Sequence, residues 1–196
     1  MMKHVWKYVT SCEKDLVLRT ELSYFDNHFV GLSMREQWNP PPLRIVGKSK
    51  RIRDFVSWMR AAPVVSQRAQ DVLFPLIGPY VEFLPLIEIR RKSFFAINVL
   101  NIVDCLDKER SVIHYATDDP QHILSIPVYV FRESAIPKSP LFKIPEDTGS
   151  VFVTQPFVDT VIKHALWGIG FADPTANQWG KFARGESLNV VPGVPD

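Results

Sequence analysis

The stretch from residue 63 to residue 111, PVVSQRAQDVLFPLIGPYVEFLPLIEIRRKSFFAINVLNIVDCLDKERS, decides the fold because it is the most apolar and most regular part of the chain. Apolar residues follow Ser66 at spacings of three, four and seven, which predicts a helix with one apolar face. Ser66 is its natural N-cap, because the hydroxyl can accept a hydrogen bond from a first-turn amide. Residues 81–89 and 93–106 are apolar enough for central strands, with a polar turn at residues 90–92 between them.

Shorter apolar segments predict the rest of the fold. Residues 3–9 and 16–22 alternate as two strands of an opening hairpin, and 141–146 form a short strand ended by proline. Residues 50–61 have apolar side chains at helical spacing, which predicts a short amphipathic helix. The chain holds 16 Pro against 9 Gly, which favours short strands ended by X-Pro turns. We therefore predict an α+β fold, a mainly antiparallel or mixed sheet with a few short amphipathic helices packed on it.

The chain of 196 residues is long enough for one sizeable core. We predict a single domain over residues 1–172. The remainder, residues 173–196, holds three of the nine Gly and has no periodicity, which indicates an irregular C-terminal tail.

The last regular unit, residues 151–171, resembles the first. With an offset of 88 positions (152 minus 64) the caps Ser66 and Thr154 coincide, and four residue types are identical. Two interpretations are open: a duplicated strand-helix-strand unit, or two ordinary units that share caps and apolar spacing. The identical pairs are Val65 with Val153, Gln67 with Gln155, Asp71 with Asp159, and Phe83 with Phe171.

Composition and charge exclude several classes of protein. The two cysteines, Cys12 and Cys105, lie far apart without a CxxC spacing, so neither a zinc site nor a disulfide framework is indicated. No signal-peptide pattern and no apolar run of membrane-spanning length occurs. We expect a cytoplasmic protein that does not enter membranes. The formal net charge of +2 is small, and residues 48–53 are the locally basic segment.

The sequence gives no catalytic, cofactor-binding or metal-binding residue. The acids Asp104, Asp107 and Glu109 lack the spacing and the glycine of an EF-hand, and Cys105 lies in an apolar segment. No GxSxG, Walker A or GxGxxG motif is present. Tryptophan and arginine, by contrast, are enriched at interface hot spots. The candidate partner-binding residues are Trp38, Arg51, Arg53, Trp58, Arg90, Arg91 and Trp179.

Several motifs occur together in a recognisable order: WNPP, IRDF, PVVSQRAQDVL, VEFLPL, INVLNIVDCLDKERS, LFKI and VFVTQPFVDTVIKHALWGIGF. In this order the chain resembles the immunity proteins of bacterial polymorphic toxin systems, specifically their family eleven, formerly a domain of unknown function. The resemblance covers about residues 38–172.

The resemblance implies a non-enzymatic inhibitor that binds the C-terminal domain of a cognate antibacterial toxin in a one-to-one complex. It carries over no catalytic residue and no cofactor. Segments outside the pattern, residues 1–37 and 173–196, are expected to contribute to the contact surface. Two other functions stay open: an enzyme that reverses a toxin's modification, and a small nucleic-acid-binding protein that uses residues 48–53 and 90–92 as phosphate contacts.

The small net charge also bears on the toxin. Inhibitors of basic nucleases are often strongly acidic, because opposite charges speed the encounter. A chain with a net charge of +2 is not expected to act by nucleic-acid mimicry on such an enzyme. Association that depends weakly on salt would agree with this expectation.

Overall fold

The computed structural model describes residues 4–10, 17–20, 28–46, 52–86 and 88–176. Within these ranges the chain forms strands and two α-helices, with α1 at Gln67–Ile77 and α2 at Gln155–Lys163. The strands are β1 (Val5–Thr10), β2 (Val17–Arg19), β3 (Arg44–Val46), β4 (Phe55–Met59), β5 (Ala62–Ser66), β6 (Val81–Pro85), β7 (Phe94–Val99), β8 (Val112–Tyr115), β9 (Ile123–Val128), β10 (Leu141–Ile144), β11 (Asp147–Thr154) and β12 (Ile169–Ala172).

The strands form two larger sheets and one hairpin. The six-stranded sheet has the order β3-β2-β4-β5-β7-β6, and the four-stranded sheet has the order β10-β11-β1-β12. Strands β8 and β9 pair as a separate two-stranded sheet. The β2–β4 pair is parallel, whereas the other strand pairs are antiparallel. The predicted α+β class with a mixed sheet and few helices is confirmed.

The predicted helix over residues 50–61 is wrong. Phe55–Met59 form β4, which continues through a tight turn into β5. A short apolar run such as FVSWM fits either period, and here pairing with β5 decides in favour of a strand. Trp58 therefore lies on a strand, and its side chain is partly buried.

The predicted opening hairpin is also wrong. Strand β1 pairs with β11 and β12, whereas β2 pairs with β3 and β4 in the other sheet. Strand β6, predicted to be central, lies at an edge of the six-stranded sheet. Local alternation of apolar residues identifies a strand but carries no information about its pairing partner. The partners of β1 lie more than 140 positions away along the chain.

The predicted cap of α1 is confirmed. The Ser66 hydroxyl accepts a hydrogen bond from the Ala69 N–H at 3.2 Å. The helix buries Ala69, Leu73 and Ile77 on one face, as the apolar spacing predicts. In α2, Pro156 lies in the first turn, where the missing N–H costs no hydrogen bond.

Two parts of the molecule share one topology. In the first unit (β4, β5, α1, β6 and β7), the hairpin β4–β5 leads through α1 to β6, and β7 lies between β5 and β6. In the second unit (β10, β11, α2, β12 and β1), the hairpin β10–β11 leads through α2 to β12, and β1 lies between β11 and β12. The inserted strand comes last along the chain in the first unit and is supplied by the N-terminus in the second.

The two units also agree in register. Ala96 of β7 pairs with Val64 and Leu84, and Lys7 of β1 pairs with Phe152 and Ala172, each partner 88 positions later (152 minus 64, 172 minus 84). The side chains agree as well: the Gln67 Nε2 to Asp71 Oδ1 bond and the Gln155 Nε2 to Asp159 Oδ1 bond both measure 2.8 Å. Two ordinary units that share only caps and apolar spacing would not be expected to have the same pairing register on both sides of the inserted strand. The structure therefore favours a duplicated unit.

The core follows this arrangement. The two helices and one face of each sheet enclose a central apolar cluster that includes Leu73, Val153 and Val161. The opposite face of the first unit, with Val64 and Ala96, is covered by Phe29 and its neighbours. The opposite face of the second unit is covered by the β8–β9 hairpin and the segment around Cys105. The segments outside the two units thus complete the outer cores.

None of the helices in the described residues is both long enough and apolar enough to cross a bilayer.

Candidate functional site

A cleft of about 590 Å³ opens beside the start of α1, where the two units meet. Its volume lies in the range of protein ligand pockets. Its walls come from the residues before β4, the first turn of α1, the residues before β7, and the loop between α2 and β12. The α1 cleft is lined by Ile52, Arg53, Asp54, Ser66, Gln67, Arg68, Lys92, Ser93 and Trp167.

Asp54 organises the floor of the α1 cleft. One carboxylate oxygen accepts from the Ser66 hydroxyl at 3.0 Å, and the other accepts from Arg68 Nη1 at 2.7 Å and from the Trp167 N–H at 3.1 Å. The Asp54 side chain is 13% exposed. Charge-assisted hydrogen bonds to such a largely shielded carboxylate are stronger than hydrogen bonds between neutral groups. A single carboxylate therefore fixes the helix cap, the helix and the loop of the other unit.

Arg68 and Gly168 complete this connection. Arg68 Nη2 donates to the His164 carbonyl at 2.7 Å, just after the end of α2. Gly168 has a φ of +95°, and a Cβ there would lie 2.3 Å from the Phe55 carbonyl oxygen, so a side chain would force the two units apart. The walls of the α1 cleft are thus held from both units.

The lining of the α1 cleft has a net positive charge. It includes the cationic side chains of Arg53, Arg68 and Lys92, and Asp54 is the one acidic side chain among the described lining residues. The bonds to Ser66, Arg68 and Trp167 already occupy the Asp54 carboxylate.

The turn that precedes Lys92 has an unusual composition. Ile89 and Lys92 exchange two backbone hydrogen bonds across Arg90 and Arg91, whose φ angles are +51° and +63°. Two-residue hairpins of this kind strongly prefer Asn-Gly, because left-handed backbone costs other residues roughly 1–2 kcal/mol each. Both arginines are exposed, and they immediately precede Lys92 of the cleft lining.

The second unit has no such polar cluster. The Ser66 N–H donates to the Asp54 carbonyl at 2.8 Å, and in the second unit the Thr154 N–H donates to the Pro140 carbonyl at 2.9 Å. Pro140 therefore occupies the position of Asp54, and Pro156 occupies that of Arg68 (156 minus 68 is 88). The same local backbone forms with prolines at these two positions, so the strand-helix junction itself does not require Asp54 and Arg68.

The structure brings three of the predicted partner-binding residues into one region. Arg53 lines the α1 cleft, and Arg90 and Arg91 form the adjacent turn. Trp38 and Trp58 lie elsewhere and are partly buried, each in an edge contact with the buried ring of Phe29.

The Trp38 Nε1–H also donates to the Pro85 carbonyl at 2.7 Å. Arg51 and Trp179 lie outside the described residues, as does most of the predicted C-terminal tail.

Sequence reasoning missed Asp54, Lys92 and Trp167 as members of one site. Each lies in an ordinary local context, and the cleft depends on contacts such as that between Asp54 and Trp167, 113 positions apart. The signal present in the sequence was the tight arginine pair before Lys92, in a position that predicts a turn.

The acidic side chains after β7 are held by an ion pair with a distant arginine and by a hydrogen bond from the backbone. Asp104 Oδ1 accepts from Arg132 Nη2 at 2.8 Å, and Asp107 Oδ1 accepts from the Arg110 N–H at 3.1 Å. Burial raises the pKa of Cys105 to about 12, so the thiol stays protonated and unreactive near neutral pH. Among the described residues no group of three or more His, Cys, Asp or Glu side chains could hold a metal ion.

Comparisons with known proteins identify the family. The family model described as Immunity protein family (Imm11) matches residues 13–175, which includes the α1 cleft and both units except strand β1. No match was found among curated proteins.

Proposed function

The chain belongs to the Imm11 immunity protein family, and from this membership we propose that it binds and neutralises the C-terminal domain of a cognate antibacterial toxin. The complex is one-to-one and forms in the cytoplasm of the producing cell, where it occludes or distorts the toxin's active site. No cofactor takes part.

The family match over most of the chain carries this proposal, and the α1 cleft supports it. The cleft presents arginine side chains and a tryptophan ring on rigid walls held by Asp54. Arginine and tryptophan are the residue types that most often dominate binding energy at interfaces. A complex of ordinary size would bury on the order of 1,600 Å² in total.

The test is co-expression with the C-terminal domain of the effector encoded beside this gene. We expect growth to be rescued and the two chains to elute together at equal molar amounts in light-scattering chromatography. Equal killing with and without this protein, and no shared elution peak, would contradict the proposal.

A titration separates inhibition by binding from an enzymatic mechanism. A stoichiometric inhibitor restores growth, or target integrity in vitro, only when its concentration reaches that of the toxin. Full protection at a small fraction of the toxin concentration would indicate turnover and would exclude the stoichiometric mechanism.

A further inference from the structure

We propose that residues 28–38, here called the strap, form a preorganised contact loop that inserts the side chain of Leu32 into an apolar pocket of the toxin domain. The inference rests on the proposed function, since it names the chemistry of the partner surface. The strap precedes β3 and lies on the outer face of the first unit, where Phe29 packs in one apolar cluster with Val64 and Ala96.

Two buried side chains of the first unit hold the middle of the strap. The Glu82 carboxylate on β6 accepts hydrogen bonds from the Ser33 hydroxyl at 2.6 Å and from the Met34 N–H at 2.9 Å. Asn98 on β7 donates through Nδ2 to the Leu32 carbonyl at 2.8 Å and to Glu82 at 3.0 Å. Glu82 is 4% exposed and Asn98 is fully buried. The backbone around Leu32 is therefore fixed from the sheet beneath it.

A third buried group holds the start of the strap. Lys143 on β10 of the second unit is fully buried, and its Nζ donates to the Phe29 carbonyl at 2.5 Å. Phe29 has a φ of +60°, a left-handed backbone that is costly for a bulky residue. Three of the six polar or charged side chains buried in the described part of the chain thus bond to one loop.

The stability of the fold does not explain this convergence. Burying a charged or amide side chain costs free energy, and well-packed apolar side chains in such positions often stabilise a fold as much or more. Left-handed backbone at a bulky residue adds to the cost and is a feature of segments that clamp a ligand. A loop whose conformation is fixed before binding gives the buried groups a role, because it loses less conformational entropy when the complex forms.

The strap exposes an apolar side chain that a partner can reach. Leu32 is 70% exposed, the largest exposed fraction among the large apolar side chains of the described residues, and Val30 is 36% exposed. Between them, Gly31 has a φ of +93°, and a Cβ there would overlap the Ile102 side chain, so the glycine lets the strap approach the body of the molecule. Burial of the two exposed side chains in an apolar pocket is favourable.

The charge of the strap indicates which partner surface it fits. Its charged side chains are one arginine and one glutamate, Arg35 and Glu36, with His28 counted as neutral. The Arg35 Nε also lies 3.9 Å from a Glu82 oxygen. The strap therefore has no net charge that would attract an acidic or a basic surface. Apolar contact and shape are what it offers, so the complementary surface is an apolar pocket that admits a protruding loop.

The experiment compares Leu32→Asp and Leu32→Ala with Leu124→Asp, because Leu124 on β9 is an apolar side chain of similar exposure, 62%, outside the strap. Binding of each full-length chain to the purified, catalytically inactive toxin domain is measured by calorimetry, and thermal unfolding checks that each variant folds. We expect Leu32→Asp to weaken the complex at least about a hundredfold and Leu32→Ala about tenfold, whereas Leu124→Asp stays within about threefold of the wild type.

Hydrogen exchange of the free protein tests whether the strap is preorganised. The Met34 amide, which donates to Glu82, should exchange slowly before the toxin is added. In Glu82→Gln this amide should exchange faster and the affinity for the toxin should fall by about tenfold, because a neutral amide oxygen is a weaker acceptor than a carboxylate. Exchange at the rate of an unprotected amide in the free wild type would overturn the inference.

The outcomes separate this inference from the proposed function. If the wild type binds the toxin and both Leu32 variants bind within about threefold of it, the inference is overturned while the proposed function stands. The same conclusion follows if Leu124→Asp weakens the complex as much as Leu32→Asp does, or if the free wild type is a dimer that Leu32→Asp converts to a monomer. If the wild type does not bind the toxin, the proposed function fails and this inference fails with it.

Discussion

Asp54 connects three separate parts of the chain through one carboxylate, which accepts from Ser66, Arg68 and Trp167. The residue lies at the boundary between the two units. Its bonds join the N-terminal end of α1 to the loop after α2, so it positions the cleft as well as the helix. Its loss should therefore affect both stability and binding.

We predict that Asp54→Ala lowers the free energy of unfolding by about 2–4 kcal/mol, since it removes three hydrogen bonds and leaves Arg68 without its carboxylate. Urea denaturation measures this change. Asp159→Ala is the matched control, because that exposed carboxylate accepts one bond from Gln155 and should change stability by less than about 0.5 kcal/mol. Equal effects of the two substitutions would show that Asp54 does not hold the units together.

Lys143 is fully buried, and its Nζ donates to the carbonyls of Phe29 at 2.5 Å and Ala61 at 2.8 Å. Burial lowers its pKa to about 8, and the nearby Asp147 only partly opposes this shift. Lys7 is similar, with its pKa lowered to about 8 mainly by burial. These two amines give the molecule a defined response to alkaline pH.

We predict that stability rises with pH from about 7.5 to 9. Above pH 8 the folded protein releases these protons while the unfolded chain keeps them up to about 10.5, so deprotonation favours folding, by on the order of 1 kcal/mol per lysine over this interval. Below about pH 7 both states are protonated and the slope vanishes. Above about pH 9 the gain is partly offset, because the Cys105 thiol ionises in the unfolded chain but stays protonated, with a pKa of about 12, in the fold.

Urea denaturation at pH 7.5, 8.2 and 9.0 measures this slope. Lys143→Met should reduce it by roughly half, whereas Lys138→Met, at an exposed position, should leave it unchanged. An unchanged slope in Lys143→Met would show that the buried amine does not release its proton in this range.

At the scale of single elements, the Arg90–Arg91 turn is the place where composition and backbone conflict. We predict that replacing the pair by Asn-Gly raises the free energy of unfolding by about 1–2 kcal/mol, because the new residues adopt left-handed backbone at lower cost. The same variant should bind the toxin domain more weakly. Calorimetry measures the affinity and thermal unfolding measures the stability of the same preparation. A gain in stability with unchanged affinity would show that these arginines do not contact the toxin.

Elements with a local signature could be predicted from the sequence, and the others could not. The Ser66 cap, α1 and the turn at residues 90–92 depend on neighbours within a few positions, and the structure confirms them. The helix predicted at 50–61 failed because five residues of β4 fit both periods. The α1 cleft could not be predicted from the sequence for a different reason. Its walls are brought together by the contact between the two units, which no local pattern indicates.

At the scale of the whole molecule, the two units meet through equivalent surfaces. Strand β1 lies against β4, and strand β7 lies against β10, so each inserted strand touches the first strand of the other unit. Thr10 Oγ1 and Ser57 Oγ lie 3.2 Å apart at the first contact, and the Lys143 N–H donates to the Asn101 carbonyl at 2.9 Å beside the second. Four sequence identities over a short segment could not distinguish duplication from coincidence. The pairing registers of the strands, which depend on distant residues, could distinguish them.

If the two units arose by duplication, the fold does not require β1 to be at the start of the chain. A circular permutation that moves β1 behind β12 tests this. In the first unit an eight-residue connection, residues 86–93, joins β6 to β7. The corresponding permuted chain starts at residue 11, continues to residue 176, and returns through four added turn residues to β1 at Val5–Thr10. Its connection from β12 to β1 then has the same length, formed by residues 173–176 and the added four.

We expect this permuted chain to unfold cooperatively and to bind the toxin domain within about fivefold of a control chain that comprises residues 1–176, since every strand keeps its partners. The control removes the same C-terminal residues, so a difference between the two reports only the new position of β1. If the control folds and the permuted chain does not, the second unit forms only when β1 precedes its other strands in the chain. The two units would then share a geometry without being interchangeable in their order of assembly.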